Sequence, residues 1–227
     1  MKFCLGIITG NDEEILKKHL PIISKCFTTK IAVDSSTLDR TNIVLKENGF
    51  IVYRREWDYN YSEARNLVIQ KAEELGMEAM LMLDSDECMF PKDIEKIRKL
   101  LEQYEAIKLP RYEFGPTKEW YNPTLYPDYQ GRAFQLNKGY HYRNKIHEIL
   151  YRKQEEKSIF EQDGFYPSDE THIYHYGRCK DLNKIWLKYE NYRRIQENKK
   201  ILLEIPKGVV IEELKDVINW NNGQQPI

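Results

Sequence analysis

Apolar and polar positions fall into short alternating blocks along this chain. Lys2–Thr9, Lys30–Val33, Phe50–Tyr53, Met80–Leu83 and Ala106–Leu109 are apolar runs without period-two alternation. Short runs of this kind, bounded by turn residues, predict strands covered on both faces. Between them the apolar residues recur at helical spacing. Ile15, Leu16, Leu20, Ile22 and Ile23 predict a helix over about 13–26, with Pro21 as a kink. A second helix is expected over 38–48, stopped by Gly49, and a third over 61–75, stopped by Gly76, with Asn60 and Glu63 as its capping box. Pro91 opens a fourth, whose stripe is Ile94, Ile97, Leu100 and Leu101. Strand and helix thus alternate, which predicts an α/β class: a doubly wound, mainly parallel sheet flanked by helices. Ligands of such sheets bind outside the carboxyl ends of the strands.

The second half has a different texture. Between Arg111 and Tyr129 the aromatics Tyr112, Phe114, Trp120, Tyr121, Tyr126 and Tyr129 interleave with Pro and Gly, and either pack beneath a long loop or line a sugar-stacking cleft. Gly131–Leu136 and Tyr140–Tyr142 predict a hairpin around Asn137-Lys138-Gly139. His172 and His175 lie in a segment with strand character, which places them on opposite faces. Beyond Asp181, Leu182, Ile185, Trp186, Tyr189 and Tyr192 stripe a long charged helix, and Ile211–Trp220 a shorter one. These read as a lid or as a homodimer element.

The chemistry gathers at the strand ends. Met80-Leu81-Met82-Leu83 runs directly into Asp84-Ser85-Asp86-Glu87. If the extended backbone persists, Asp84 and Asp86 share one face and Glu87 takes the other. Two carboxylates about 4 Å apart repel by about 4 kcal/mol at an effective dielectric near 20, which a divalent cation would relieve. Asp34 ends the second strand, where it serves as a cap and turn residue or as a ligand acceptor. Arg65 falls in a helix first turn, against the macrodipole. An anionic ligand would explain it, as would a salt bridge to Glu63, Asp58 or Asp34.

Charge narrows the options. The 35 basic and 36 acidic residues are interspersed, so no footprint for nucleic acid is present. Cys4, Cys26, Cys88 and Cys179 are scattered without C-x-x-C spacing, which argues against a zinc ribbon or a disulfide framework and makes a reduced, cytoplasmic protein the expectation. The apolar start is cut short by Gly6, Gly10 and the acids after it, too early for a signal-peptide core, and no run approaches a membrane span.

The ordered set resembles the family 2 inverting glycosyltransferases of GT-A fold, a Rossmann-like architecture. Ile7-Ile8-Thr9 with Asn11 and Glu13 is similar to the family's opening motif. Val33-Asp34-Ser35-Ser36-Thr37-Leu38-Asp39-Arg40-Thr41 resembles its V-D-D-x-S-x-D-x-T, with Ser35 in place of the second aspartate. Tyr61-Ser62-Glu63-Ala64-Arg65-Asn66 resembles its A-R-N helix start, and Asp84-Ser85-Asp86 its D-x-D. Lys145-Ile146-His147-Glu148 and Ile173-Tyr174-His175-Tyr176-Gly177 are similar to segments of small bacterial members that modify lipopolysaccharide cores or peptides.

The resemblance implies a nucleotide-sugar donor, for which a UDP-sugar is expected, and a glycan, lipid-linked or peptide acceptor. Asp34 and Thr9 would bind the base, Arg65 the base or diphosphate, and Asp84 the ribose or, through water, the metal. Asp86 and His175 would hold Mn²⁺ or Mg²⁺, manganese suiting a histidine better, and Glu148 would be the general base. It further implies a catalytic domain over 1–178, with a nucleotide-sugar half at 1–110 and an acceptor half at 111–178, then a C-terminal helical extension at 179–227. The expected location is the cytoplasm, including a peripheral position at the inner face of the membrane. A sugar nucleotidyltransferase would use the same sheet and acidic pair but would show a Gly-rich basic phosphate loop, and the acidic Asn11-Asp12-Glu13-Glu14 stands there instead. A non-catalytic nucleotide-sugar-binding module would not need Glu148.

Overall fold

A computed structural model of the chain describes residues 1–36, 38–115, 119, 121–152, 157–161, 166–167, 170–202 and 204–206. Thr37, Trp120 and the helix expected over Ile211–Trp220 lie outside the described residues. The chain divides into two compact units, Met1–Arg111 with Pro127–Tyr174, and Tyr112–Tyr126 with His175–Ile227.

The elements run β1 (Phe3–Thr9), α1 (Glu13–Ile23), β2 (Thr29–Asp34), α2 (Thr41–Glu47), β3 (Ile51–Arg54), α3 (Tyr61–Glu74) and β4 (Ala79–Asp84). Then follow β5 (Glu87–Cys88), α4 (Pro91–Leu100), β6 (Ala106–Glu113), β7 (Asp128–Gln135), β8 (Tyr140–Arg143), β9 (Ile149–Arg152), β10 (Lys157–Ser158), β11 (Tyr166–Pro167), β12 (Ile173–His175) and α5 (Leu182–Gln196). In the first unit the large sheet runs β3-β2-β1-β4-β7-β6, with β1, β2, β3 and β4 mutually parallel and β7 antiparallel to both β4 and β6.

Alternation along the buried strands divides the core between the two faces of the sheet. Phe3, Leu5, Ile7, Leu81 and Leu83 join the α1, α2 and α4 side chains, whereas Cys4, Ile8, Ile31, Val33, Met80 and Met82 join α3. Ala79–Leu83 is wholly buried, as expected for a strand covered on both sides. Gly6 allows the close approach of α3, because a Cβ there would stand 2.7 Å from Val68 Cγ1 and 3.1 Å from Met80 Sδ.

Three expectations need correction. Gly139 does make a turn, with φ of +71°, but Gly131–Leu136 and Tyr140–Tyr142 are not a hairpin: β8 pairs with β9 in a separate sheet of order β10-β9-β8. Both edges of β7 are taken by β4 and β6, which leaves no ladder for β8. The capping box is half formed. Asn60 Oδ1 accepts from the Glu63 amide (3.2 Å), but the Asn60 amide donates to Asp58 rather than to Glu63. Helix α2 starts later than expected because Asp39 and Arg40 are drawn into a loop lock. The Glu13 amide donates to Asp39 Oδ2 (3.0 Å) and the Arg40 amide to Glu13 Oε2 (3.0 Å).

In the second unit, Asp181 Oδ1 caps α5 by accepting from the amides of Asn183 and Lys184. Ile185 is buried on that helix, and so is Asn191, whose amide exchanges hydrogen bonds with the Leu202 backbone. Among the described residues no helix is long and apolar enough to cross a membrane.

Candidate functional site

The carboxyl ends of β1, β2 and β4 are bound together by side chains. Asp12 Oδ2 accepts from Thr9 Oγ1 (3.1 Å), the Gly10 amide (3.2 Å) and Ser85 Oγ (2.6 Å), joining the β1 end to the acidic turn after β4. Asn11, left-handed at φ +58°, takes Ser36 Oγ as acceptor for its amide and accepts from the Leu38 amide. Asn tolerates that conformation at little cost.

Asp34 and Asp84 do not meet. In the parallel registers Thr9 partners Asp34 and Ile8 partners Asp84, so the two aspartates stand on opposite faces of the sheet. Asp34 is fully buried, with Oδ1 accepting from the Ser36 amide (2.8 Å) and Oδ2 from Arg54 Nη1 (2.5 Å). Asp84 lies on the α3 face, where Arg65 is. Arg65 Nη2 pairs with Asp84 Oδ1 at 2.6 Å, and its Nε donates to Glu148 Oε1 at 2.7 Å. Neither partner is among the three acids expected from sequence proximity, because only the sheet register carries Asp84 to Arg65. The guanidinium is buried above the Tyr142 ring, 5.3 Å from its centroid. Burial and the nearby Arg132 charge pull its pKa down, but Asp84 and Glu148 outweigh them and leave it raised.

Glu148 reaches this position through α3. Asn66 Nδ2 donates to the Tyr142 carbonyl (2.9 Å) and Asn66 Oδ1 accepts from the Tyr142 amide (2.7 Å), while the Tyr61 amide donates to the Lys145 carbonyl (2.9 Å). Left-handed residues at Asn144 (φ +75°) and His147 (φ +52°) then turn the chain so that Glu148 faces Arg65.

The acidic turn departs from strict alternation. Extended backbone ends at Asp84, and Ser85 and Asp86 form a turn. Glu87, expected on a separate face, folds back instead. Its Oε2 accepts from the Asp84 amide (2.9 Å), and its Oε1 accepts from Arg132 Nη2 (3.0 Å) and Arg111 Nη1 (3.2 Å). Arg132 Nη2 also donates to Asp84 Oδ2 (2.8 Å), and Arg111 pairs with Asp128 at 2.6 Å. Sequence reading missed Arg132, Arg111 and Asp12. A charge amid the apolar Gly131–Leu136 stretch was the available signal for Arg132.

Three guanidiniums (Arg65, Arg111, Arg132) thus face four carboxylates (Asp84, Glu87, Asp128, Glu148), with buried Asp86 adding a fifth acid in the turn. Among the described residues no group of three or more His, Cys, Asp or Glu could hold a metal alone. An ion of the Mg²⁺ type bound together with phosphates takes only one or two protein carboxylates, a need that buried Asp86 in the turn fits without a protein cage.

His175 belongs to the second unit. Its Nδ1 bonds Glu113 Oε2 at 2.8 Å, and Arg178 Nε stands 3.5 Å from Glu113 Oε1. In that unit Tyr112 stacks on Tyr126 (centroids 4.4 Å apart) and Phe114 on Tyr176 (5.0 Å), with Tyr121 edge-on to Tyr112.

The sequence model of Glycosyl transferase family 2 matches residues 28–166. Over 146 residues the chain is 30% identical to the SPbeta prophage-derived glycosyltransferase SunS of Bacillus subtilis (strain 168), covering 63% of this chain and 33% of that protein. It matches glycosyltransferase SunS of Bacillus phage SPbeta to the same extent. The chain therefore spans about a third of the length of these relatives. Among solved structures, S. aureus TarS shares the fold, with a TM-score of 0.51 at 15% identity, covering 84% of this chain and 40% of TarS.

Proposed function

The chain belongs to glycosyl transferase family 2, and on that premise we propose that it carries the donor-binding and catalytic residues of an inverting transferase. The sugar moves from a nucleoside diphosphate, with UDP the first expectation, to a hydroxyl or other nucleophile of a glycan, lipid-linked or peptide acceptor. The observation that carries this reading is Arg65, a buried cation that grips Asp84 and Glu148 together at the carboxyl ends of parallel strands.

Each side chain then has a part. Thr9 and Asp34 sit at the β1 and β2 ends for the base, and Asp34, fully buried with one hydrogen bond to each oxygen, can serve it only if its surroundings open. Asp84 meets the ribose, while Arg65, buried and paired with Asp84 and Glu148, would turn to the base or diphosphate by giving up one of those partners. Glu148 accepts the acceptor's proton as it attacks, and a carboxylate opposite the leaving group gives inversion. Asp86 is the residue proposed for Mn²⁺ or Mg²⁺, which would neutralise charge developing on the departing diphosphate.

A panel of UDP-, GDP- and dTDP-sugars, read by thermal shift with and without Mn²⁺, tests the reading. One donor should raise the melting temperature in a Mn²⁺-dependent way and be hydrolysed slowly. Absence of both effects for every donor refutes it.

A further inference from the structure

We infer that Arg132 and Glu87 are positioning residues that clamp Asp84 in the geometry a nucleoside diphosphate requires. The inference rests on the proposed function, which makes Asp84 a donor contact. Asp84 is fixed at three points. Arg65 pairs with Oδ1 (2.6 Å), Arg132 Nη2 donates to Oδ2 (2.8 Å), and Glu87 Oε2 accepts from the Asp84 amide (2.9 Å). Arg132 and Glu87 are in turn joined at 3.0 Å, closing a ring that runs from the Asp84 amide through both side chains to the Asp84 carboxylate. Backbone and rotamer are therefore held together.

Stability alone does not account for this ring. Arg132 and Glu87 are both buried, and a buried ion pair is commonly matched or exceeded in stability by apolar side chains of similar volume. What apolar side chains would not supply is direction. Both contacts of Arg132 Nη2 converge on Asp84, one on its carboxylate and one through the glutamate that holds its amide. Asp84 itself remains 22% exposed at its side chain, so the clamp presents a fixed carboxylate to solvent. The topology delivers the clamp. Inserting β7 antiparallel beside β4, with Leu81 paired to Ala133, sets Arg132 one residue nearer the carboxyl end of β4.

The test compares Arg132→Met/Glu87→Gln, Asp84→Asn, and Asp84→Asn/Arg132→Met with the unaltered chain. Thermal melting is followed together with calorimetric affinity for UDP, GDP and dTDP in Mn²⁺. The Arg132→Met/Glu87→Gln pair removes one charge of each sign, so it should fold with nearly unchanged melting temperature. Its affinity for the nucleotide that binds should nonetheless fall about tenfold, the lower end of what losing a partner that orients a metal-binding side chain costs. In the Asp84→Asn background, Arg132→Met should cost no further affinity, which a general packing role would not produce. If the double variant does not fold, Arg132→Lys keeps the charge and carries the same expectation. Full affinity in the folded clamp variant, alongside loss in Asp84→Asn, overturns the inference alone. Failure of the unaltered chain to bind any of the three nucleotides overturns the underlying reading and the inference with it.

Discussion

At the scale of single residues, the site turns on what each carboxylate already touches. Glu148 is held by Arg65 Nε, and as the proposed base it takes the acceptor's proton, so replacing it separates chemistry from binding. Glu148→Gln keeps a side chain of the same size but cannot take a proton. Transfer should fall by about two to four orders of magnitude, the usual contribution of a general base, while donor affinity changes little. Turnover measured beside calorimetry decides this, and retained turnover removes Glu148 from the role. Asp86 follows a different logic, because an anchor for a metal acts on binding before chemistry. Asp86→Ala should abolish the Mn²⁺-dependent part of donor affinity, and a titration showing the same Mn²⁺ enhancement in the variant would sink the assignment. Arg65 illustrates why residue-level rules misdirect. A cation near a helix start is slightly unfavourable by the macrodipole, yet two carboxylates brought from distant segments outweigh that term.

Among elements, α3 carries most of the organisation. Its packing on β1 depends on Gly6, since a methyl group there would press on Val68 and Met80. Gly6→Ala should lower stability by about 1–3 kcal/mol, the range for overpacking a well-filled core, and urea unfolding would show it. An unchanged midpoint would mean that α3 can shift outward freely. At its other contact, α3 ties β8 and the loop to Glu148 through the paired hydrogen bonds of Asn66. Asn66→Ala leaves the Tyr142 amide and carbonyl without those partners and should cost about 1–3 kcal/mol. Because the same clamp sets the Glu148 loop, transfer should drop more than donor affinity. Equal losses in both would place Asn66 in stability alone. The insertion of β7 between β4 and β6 is the other decision taken among elements, because it parts β7 from β8, to which a local turn at Gly139 would otherwise have joined it.

For the molecule as a whole, burial couples stability to alkaline pH. Burial pushes the Cys4 thiol from 9.0 up to about 12 and the Tyr142 phenol from 10.0 up to about 12. Both folded values exceed the unfolded ones, so the native state retains protons that the unfolded chain releases. Their contribution is complete below pH 9 and is lost as pH rises from 9 to 12. Urea midpoints across that range should decline, and Cys4→Ala should delay the start of the decline toward the tyrosine's range. Identical slopes in the variant and the unaltered chain would refute the thiol's part. The same burial explains what the amino-acid order could and could not declare. Runs such as Met80–Leu83, the stops at Gly49 and Gly76, and the Asn60 cap act within a few residues of themselves. Period, propensity and turn chemistry therefore determined the strands, the helices and their α/β alternation, and the ordered motifs determined the family. Which charges meet was decided only by tertiary structure. Arg65 finds Asp84 through sheet register, Glu148 through the Asn66 clamp, and Arg132 reaches Asp84 because β7 inserts beside β4. Glu87 likewise joins the site because the backbone turns after Asp84. Such pairings span tens of residues and depend on strand order, a property of the assembled sheet that no local stretch of sequence carries.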